Sequence, residues 1–252
     1  MIFTSYIEKL QAILERIKTE QQSNIEAAGH IVADTLTRDG IIHAFGTGHS
    51  HIIAEEIFFR AGGIAPINPI LDERLIFLKG ALESTRAERE AGLARRLIER
   101  EDVRAGDAAI IISNSGRNAA PVEMALEMKE RDVRVIAITN MEQSRPAESR
   151  HASRKKLYEL ADVVIDNCVP AGDAVMKLEG MESRTGASST VAGAAIAHSI
   201  VIEALNDLLR SGEVLPVLPS ANVAGTTAST LREVLRPYRD RIRYLDLETE
   251  ID

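Results

Sequence analysis

Short runs of consecutive apolar residues alternate along the chain with segments of helical periodicity. The apolar runs predict five strands, at residues 41–45, 64–67, 108–112, 133–138 and 163–165. Runs of Ile and Val without polar alternation are typical of strands buried on both faces of a parallel sheet. Strands that alternate with helices favour an α/β fold, with helices covering both faces of that sheet.

Helical periodicity predicts the elements that connect and cover the strands. The predicted helical segments are residues 5–37, 50–61, 72–101, 119–131, 188–209 and 227–235. The first segment carries two apolar stripes, which suit either an intramolecular core or an interface between subunits. Segment 72–101 is rich in charge and is expected to form helical surface. Pro66 and Pro69 place the second strand at a sheet edge.

One domain is predicted over residues 1–252. It has a helical extension at about 1–38, an α/β core at about 39–212, and a C-terminal loop and helix at about 213–252. Ligands of such domains bind outside the carboxyl ends of the strands.

Composition narrows the classes of partner. The formal net charge of −8 disfavours non-specific binding to nucleic acid or to anionic membranes. A single cysteine, Cys168, excludes an internal disulfide. The N-terminus lacks the pattern of a signal peptide. The longest apolar stretch, residues 191–205, carries His198 and Glu203. We therefore expect a cytoplasmic protein without nucleic-acid or membrane partners.

Two loops that follow predicted strands are rich in glycine and hydroxyl side chains. The candidate binding residues of the first loop are Gly46, Thr47, Gly48, His49 and Ser50. Those of the second loop are Ser113, Asn114, Ser115 and Asn118. A strand that turns into a helix at such a loop presents free backbone N–H groups and hydroxyls to an anion. The pair of loops predicts a site for a phosphorylated small molecule.

Other readings of these loops remain open. The first loop lacks the third glycine of a dinucleotide fingerprint, because His51 stands there, although Asp72 supplies an acidic residue about twenty positions later. A tight turn without a ligand is the simplest alternative. Neither loop has the Lys-Ser/Thr pair of a Walker motif, which disfavours hydrolysis of nucleoside triphosphates. A sugar monophosphate fits the hydroxyl and amide donors better.

The order strand–GTGHS–helix, strand–SNSGRN–helix, polar segment and Ser-led apolar helix resembles a sugar isomerase (SIS) domain. The resemblance covers about residues 5–235. Residues 149–153, 156–166 and 220–225 further resemble a bacterial single-SIS-domain subfamily, and the domain is similar to phosphoheptose isomerases. The resemblance implies a three-layer αβα sandwich with a five-stranded parallel sheet, of flavodoxin-like type. It also implies phosphosugar binding, and homodimers or homotetramers with sites at subunit interfaces.

The resemblance also suggests site residues. The SxSGxT-type loop of the family matches Ser113 and Ser115, with Asn118 in place of the usual Thr. Ser188 and Ser189, which lead the long apolar helix, complete the expected phosphosugar contacts. In this family a histidine of the late helix can act as an acid or base, and His198 is the candidate here.

Aldose–ketose isomerisation needs a base that moves a proton between C1 and C2, and a group that shuttles the hydroxyl proton. On a helix over residues 50–61, His51 and Glu55 are i,i+4 neighbours among apolar side chains. We expect Glu55 to be partly buried and to be catalytic together with His51. A hydrogen-bonded core pair or an interface contact is the alternative. Glu56 and Arg60 are expected to form a structural ion pair.

The His51-x-x-x-Glu55 spacing is also that of metal ligands on a helix. Two ligands do not make a site, so neither a metal nor another cofactor is predicted. The sequence thus predicts an aldose–ketose sugar-phosphate isomerase active in carbohydrate metabolism. An etherase-like lyase acting on an amino-sugar phosphate is one alternative. A non-catalytic sensor or adaptor that binds a sugar phosphate or a partner protein is the other.

Overall fold

A twisted parallel sheet of five strands organises the molecule. The computed structural model describes residues 1–220 and 227–245, so the predicted stretch 221–225 lies outside the described residues. The strands are β1 (Ile42–Gly46), β2 (Ile67–Ile70), β3 (Ala108–Ile112), β4 (Arg134–Thr139) and β5 (Val163–Asp166). Their spatial order, β2-β1-β3-β4-β5, is the flavodoxin-like order. The predicted α/β class and parallel sheet are confirmed.

Helices cover both faces of the sheet. In the described residues they are α1 (Ile2–Glu20), α2 (Gln22–Leu36), α3 (His51–Glu56), α4 (Ala81–Ala87), α5 (Leu93–Ile98), α6 (Ala119–Lys129), α7 (Met141–Ser144), α8 (Ser189–Ser211) and α9 (Ala228–Leu235). Helices α1, α2, α3 and α8 pack on one face of the sheet. Helices α5 and α6 pack on the other. The expected three-layer sandwich is therefore confirmed.

The strands consist of apolar runs because both of their faces are buried. Ile110 and Ile112 point into the cluster beneath α8, whereas Ala109 and Ile111 point into the cluster beneath α6. Alternation of side chains across a strand thus requires apolar residues at every position. The register that pairs Gly46 with Ile112 brings the ends of β1 and β3 side by side.

Two expected boundaries differ from the structure. Helix α3 ends at Glu56 rather than near residue 61, and Phe59 lies in the left-handed region with a φ of 44°. Strand β2 begins at Ile67 rather than at Ile64, because Ile64 forms a bridge to Val217 instead. β2 does lie at the sheet edge, as its prolines indicate.

The charged segment 72–101 is only partly surface. Leu93 and Leu97 of α5 are 1% and 3% exposed and pack beneath the sheet. The expectation of a wholly superficial segment was wrong because apolar side chains three or four residues apart stand between charged ones. A hairpin of β6 (Ala174–Met176) and β7 (Thr185–Ala187) was not predicted at all. Strands of three residues are too short to give a periodic signal.

Helix α8 is the one described helix with the length and hydropathy of a membrane-crossing segment, and 44% of its apolar window is buried inside the domain. Its packing against α2 and α3 is that of a core helix. The apolar residues of α1 divide into two sets. Ile13 and Ile17 join the core, whereas Phe3, Ile7 and Leu14 are exposed.

Candidate functional site

The first glycine loop is a tight turn between β1 and α3. A Cβ on Gly46 would overlap the backbone of Ser50, so only glycine permits the turn to close. Gly48 has a φ of 54°, and its N–H donates to the carbonyl of Leu75 at 2.9 Å. A 3₁₀ turn over Gly48–Ser50 then leads directly into α3. The loop therefore holds its hydroxyl and imidazole side chains at the carboxyl end of the sheet.

The second loop, between β3 and α6, leaves backbone donors free. Gly116 has a φ of 56°, and its N–H donates to Oγ of Ser113 at 3.2 Å. The N–H groups of the next turn have no acceptor anywhere in residues 1–220 and 227–245. These free amides belong to Ser115, Arg117, Asn118 and Ala119. Together with the N-terminus of the eleven-residue helix α6, they are donors of the kind that suits an anion.

The two loops face one cleft of about 370 Å³, a volume within the range of small-molecule sites. The side chains that line it are Thr47, His49, Ser50, Glu88, Asn114, Ser115, Asn118, Gln143, Asp173, Ala187, Ser189 and Thr190. Seven of these were candidate binding residues from sequence. The other candidates, Gly46, Gly48, Ser113 and Ser188, do not line the cleft but shape the loops and the start of α8.

Most polar side chains of the cleft already have one partner. Thr47 Oγ1 donates to Oε2 of Glu88 at 3.1 Å. Asn167 Nδ2 donates to Oδ1 of Asn114 at 2.7 Å. The hydroxyl of Ser115 makes no hydrogen bond with any described residue. Ser115 therefore has both its side-chain and its backbone donor available to a ligand.

The serines at the start of α8 are occupied by Asp173. Oδ1 of Asp173 accepts from the N–H of Ser188 at 2.8 Å and from the N–H of Ser189 at 2.6 Å. The hydroxyl of Ser189 donates to Oδ2 at 2.8 Å, and the hydroxyl of Ser188 donates to the Asp173 carbonyl at 2.8 Å. A carboxylate of the chain itself thus neutralises this helix N-terminus, the position at which a phosphate was expected.

The three predicted catalytic residues do not line the cleft. His51 is buried, with Nδ1 against the Gly48 carbonyl and its ring edge-on to Phe77. Glu55 is exposed, so the expected partial burial was wrong. Burial raises the pKa of Tyr244 in the C-terminal segment, and the negative charge of Glu55 adds to that shift. Glu55 lies on the outer face of the short helix α3, which the rest of the domain does not cover.

His198 lies eight residues after Thr190 on α8, about 12 Å further along the helix axis. Its Nε2 is 3.3 Å from Oε1 of Glu56, which also pairs with Arg60 at 2.7 Å. The ion pair expected between Glu56 and Arg60 is therefore present, and it extends to His198. This half-exposed trio joins α3 to α8 outside the cleft of a single subunit.

Two acid–base groups that do reach the cleft are His49 and Glu88. The His49 ring packs against Phe77, with centroids 5.0 Å apart. Glu88 follows α4 within the charged segment 72–101, where nothing in the sequence pattern distinguished it from surface carboxylates. Its place is set by the backbone, since the Ala120 N–H donates to the Glu88 carbonyl at 3.0 Å.

Other reactive groups are poorly suited to chemistry here. Burial, followed by the charge of Asp166, raises the pKa of Cys168 to about 11, so its thiol stays protonated at neutral pH. Among the described residues, no group of three or more His, Cys, Asp or Glu side chains could hold a metal ion. The site consists of hydroxyls, amides, one imidazole and two carboxylates.

The fold and the cleft define a doubly wound α/β protein with a polar cleft between the loops that follow β1 and β3. Comparison with known proteins agrees with this class. Residues 5–140 match the SIS domain family. A UPF0309 protein from Caldanaerobacter subterraneus subsp. tengcongensis is 39% identical over 243 residues, which are 95% of this chain and 98% of that protein. The chain belongs to the SIS-domain family and, within it, to the UPF0309 proteins.

Solved structures show the same fold. Phosphoheptose isomerase GmhA from Neisseria gonorrhoeae is similar with a TM-score of 0.53 at 16% identity, covering 81% of this chain and 97% of that one. The Vibrio vulnificus NanR protein complexed with ManNAc-6P is similar with a TM-score of 0.53 at 14% identity, covering 96% of this chain and 70% of that one. An isomerase and a sugar-phosphate-binding protein thus share this architecture.

Proposed function

We propose that this protein binds the phosphate of a sugar phosphate at the second loop and interconverts its aldose and ketose forms. The observation that carries the proposal is the row of free N–H groups at Ser115, Arg117, Asn118 and Ala119, with the unpaired Ser115 hydroxyl beside them. Oxygen-rich anions are the ligands that such donors select. Family membership and the isomerase neighbour support the choice of a phosphosugar.

The chemistry is assigned to the two acid–base groups that face the cleft. Glu88 accepts only the Thr47 hydroxyl, so its second oxygen is available to take a proton from carbon. Asp173 is less suited as a base because four donors already occupy its oxygens. His49, without a hydrogen-bond partner in the described residues, is proposed to move the hydroxyl proton of the enediol.

A screen of hexose, heptose and N-acetylamino-sugar phosphates tests binding, because a bound ligand raises the melting temperature. NMR of the incubated sugar then detects aldose–ketose exchange. We expect Glu88→Gln and His49→Asn to abolish exchange while leaving phosphate binding in place. Glu55→Gln and His198→Ala serve as matched acidic and imidazole controls. If the control variants also lost exchange, we would conclude that the catalytic groups lie at an interface with a second subunit.

A non-catalytic sensor is the second candidate. The structural neighbour NanR is a protein complexed with ManNAc-6P, and the catalytic set expected from the sequence lies outside the cleft. Tight binding of one sugar phosphate without conversion over long incubation would favour the sensor. Mass spectrometry of the products would reveal the third function, an etherase-like lyase, by the loss of a fragment from an amino-sugar phosphate.

A homodimer or homotetramer is proposed from the exposed stripe on α1. Phe3, Ile7 and Leu14 lie on one side of the helix and are 63%, 45% and 36% exposed. Apolar side chains at this spacing suit packing against a second copy of the helix. Light scattering should show an oligomer that Ile7→Glu dissociates. Since phosphorylated sugars are retained inside cells, we place the protein in the cytoplasm.

A further inference from the structure

Three arginines, Arg89, Arg117 and Arg150, adjoin residues that line the cleft, either along the chain or by a hydrogen bond. Arg117 belongs to the second loop itself, and its carbonyl accepts the N–H of Arg150 at 2.8 Å. Arg150 then turns back, so that its Nη1 donates to Oδ1 of Asn118 at 2.9 Å. Arg89 follows Glu88, whose carbonyl is held by the first turn of α6. Three separate segments thus bring arginines next to the cleft-lining residues Glu88 and Asn118.

These guanidinium groups lack carboxylate partners. Elsewhere in the protein arginines such as Arg74, Arg104 and Arg131 pair with Asp or Glu. Among the described residues no ion pair involves Arg89, Arg117 or Arg150. The nearby carboxylate of Glu88 is bound to Thr47 instead. Apart from the hydrogen bond from Arg150 to Asn118, no side-chain contact within the described residues occupies the three guanidinium groups.

Two further observations indicate that positive charge is left unbalanced here. Nε of Arg117 is a buried donor without a hydrogen-bond partner, which is costly unless a ligand supplies an acceptor. Burial and then the charges of Arg117 and Arg89 lower the pKa of Arg150, and Glu88 compensates them only in part. The adjoining residues 144–156 carry five Lys or Arg against one Glu in a protein of net charge −8.

The second loop already provides enough donors for one phosphate through its own amides and hydroxyls. None of the three arginines lines the cleft itself, but the hydrogen bond from Arg150 to the cleft residue Asn118 places this guanidinium at its rim, and Arg117 and Arg89 are the chain neighbours of the cleft residues Asn118 and Glu88. We infer that Arg89, Arg117 and Arg150 form a second anion subsite, so that the ligand is a phosphorylated sugar that carries another acidic group, a carboxylate or a second phosphoryl group. This inference rests on the proposed phosphosugar site and specifies its substrate class.

Calorimetry with three sugars of similar size tests the subsite. Glucose 6-phosphate carries only the first anion, gluconate 6-phosphate adds a carboxylate, and glucose 1,6-bisphosphate adds a phosphoryl group. We expect at least one of the two doubly acidic ligands to bind about tenfold more tightly than glucose 6-phosphate, with the better of them identifying the second group. This gain in affinity should diminish as the salt concentration rises, because salt screens the charges of the arginines.

The variant Arg89→Gln/Arg150→Gln, which leaves Arg117 of the phosphate loop in place, should remove this gain and change the affinity for glucose 6-phosphate by less than about twofold. Arg154→Gln, an exposed arginine of the same basic segment, is the matched control and should preserve the gain. Equal affinities of the wild-type protein for all three sugars would overturn the subsite. An equal loss for all three in the double variant would overturn it too, since the arginines would then serve the first phosphate.

The outcomes separate this inference from the proposed function. If glucose 6-phosphate binds and Ser115→Ala weakens it, the phosphate site stands, whether or not a second acidic group adds affinity. If none of the three sugars binds, both proposals fail together. Circular dichroism of each variant confirms that the change in affinity is not a loss of folding.

Discussion

The two ends of the central sheet both hold many polar side chains, and they differ in how these are paired. At the amino ends of the strands, Asp107 is 1% exposed and accepts from the N–H groups of Ile41 and Arg104, from His43 and from Arg241. At the carboxyl ends, four amides and the Ser115 hydroxyl have no partner among the described residues. Polar richness alone therefore does not identify a site; unpaired donors do.

The hydrogen bonds around Asp107 form an amino-end network, which continues to the edge strand β2. Asn68 donates to Nδ1 of His43 at 3.1 Å and to Oε2 of Glu101 at 3.0 Å. Burial raises the pKa of Glu101, although its hydrogen bond with Asn68 and the charge of Arg243 work against the shift. Such a buried network stabilises one arrangement of the strands because every member depends on its neighbours.

The largest effect is expected from Asp107→Ala. Removing the carboxylate leaves Arg241, His43 and two backbone N–H groups without their acceptor, which should lower the free energy of unfolding by about 3–5 kcal/mol. Urea denaturation measures the change. Asp240→Ala is the control, because Asp240 pairs with Arg239 at the surface and should cost less than about 1 kcal/mol. A similar loss in both variants would contradict the distinction drawn between buried and exposed pairs.

Acid should weaken the amino-end network selectively. Burial opposes ionisation of Asp107, but the hydrogen bonds from His43, Arg104, Arg241 and Ile41 outweigh it and lower its pKa to about 2. A folded-state pKa below the unfolded value of about 3.9 gives stability that is present at neutral pH and is lost as pH falls from about 5 to about 2.

The contribution of Asp107 to this loss should be about 2 kcal/mol. Glu101 acts in the opposite sense, since its raised pKa means that protonation relieves a cost of folding. Urea titrations between pH 7 and pH 3 should show a shallower acid decline for Asp107→Asn than for the wild-type protein. Parallel curves would mean that Asp107 is not the group responsible.

At the carboxyl end, Gly116→Ala should cost about 1–2 kcal/mol of stability, because a non-glycine residue is strained at a φ of 56°. The new Cβ would also lie 3.1 Å from Ser144 Oγ and 3.2 Å from Thr139 Oγ1, so the loop must shift. We expect binding of glucose 6-phosphate to fall at least tenfold. Gly106→Ala, at a φ of 90° with no atom within 4 Å, should cost stability and leave binding intact.

The smallest change in stability is expected from Ser115→Ala. The hydroxyl has no partner to lose within the described residues, so the free energy of unfolding should change by less than about 0.5 kcal/mol. The affinity for glucose 6-phosphate should fall about tenfold. Asn68→Ala should behave in the reverse way: the free energy of unfolding should fall by about 1–3 kcal/mol, and the affinity for glucose 6-phosphate should not change. If both variants altered stability alone, the carboxyl-end loops would not be a binding site.

The same contrast explains what the sequence could reveal. The strands of the sheet were predictable because burial on both faces demands unbroken apolar runs, as in residues 108–112. The strand-to-helix loop at residues 113–118 was predictable because Ser113, Ser115 and Gly116 fall within four positions directly after an apolar run. Its role in binding phosphate stays a prediction. The resemblance to SIS domains added the flavodoxin-like type to the five strands that the apolar runs had predicted.

The rest of the site depends on contacts between distant segments. Glu88 and Asp173 reach the cleft only through the fold, and no local pattern distinguishes either from a surface carboxylate. The periodicity grouped His51 with Glu55 on one side of α3, but the structure buries His51 and exposes Glu55, and neither lines the cleft. The pairing of Ser188 and Ser189 with Asp173 likewise joins residues 15 and 16 positions apart through a hairpin that the sequence did not predict.

The contact between Arg241 and Asp107 has a consequence for the order of folding. The two residues are 134 positions apart, and the guanidinium also holds the carbonyls of Asp39 and Asp102. During synthesis, strands β1 and β3 emerge from the ribosome long before this arginine does. Until translation has passed residue 241, Asp107 can accept only from Ile41, His43 and Arg104, so its charged partner arrives last.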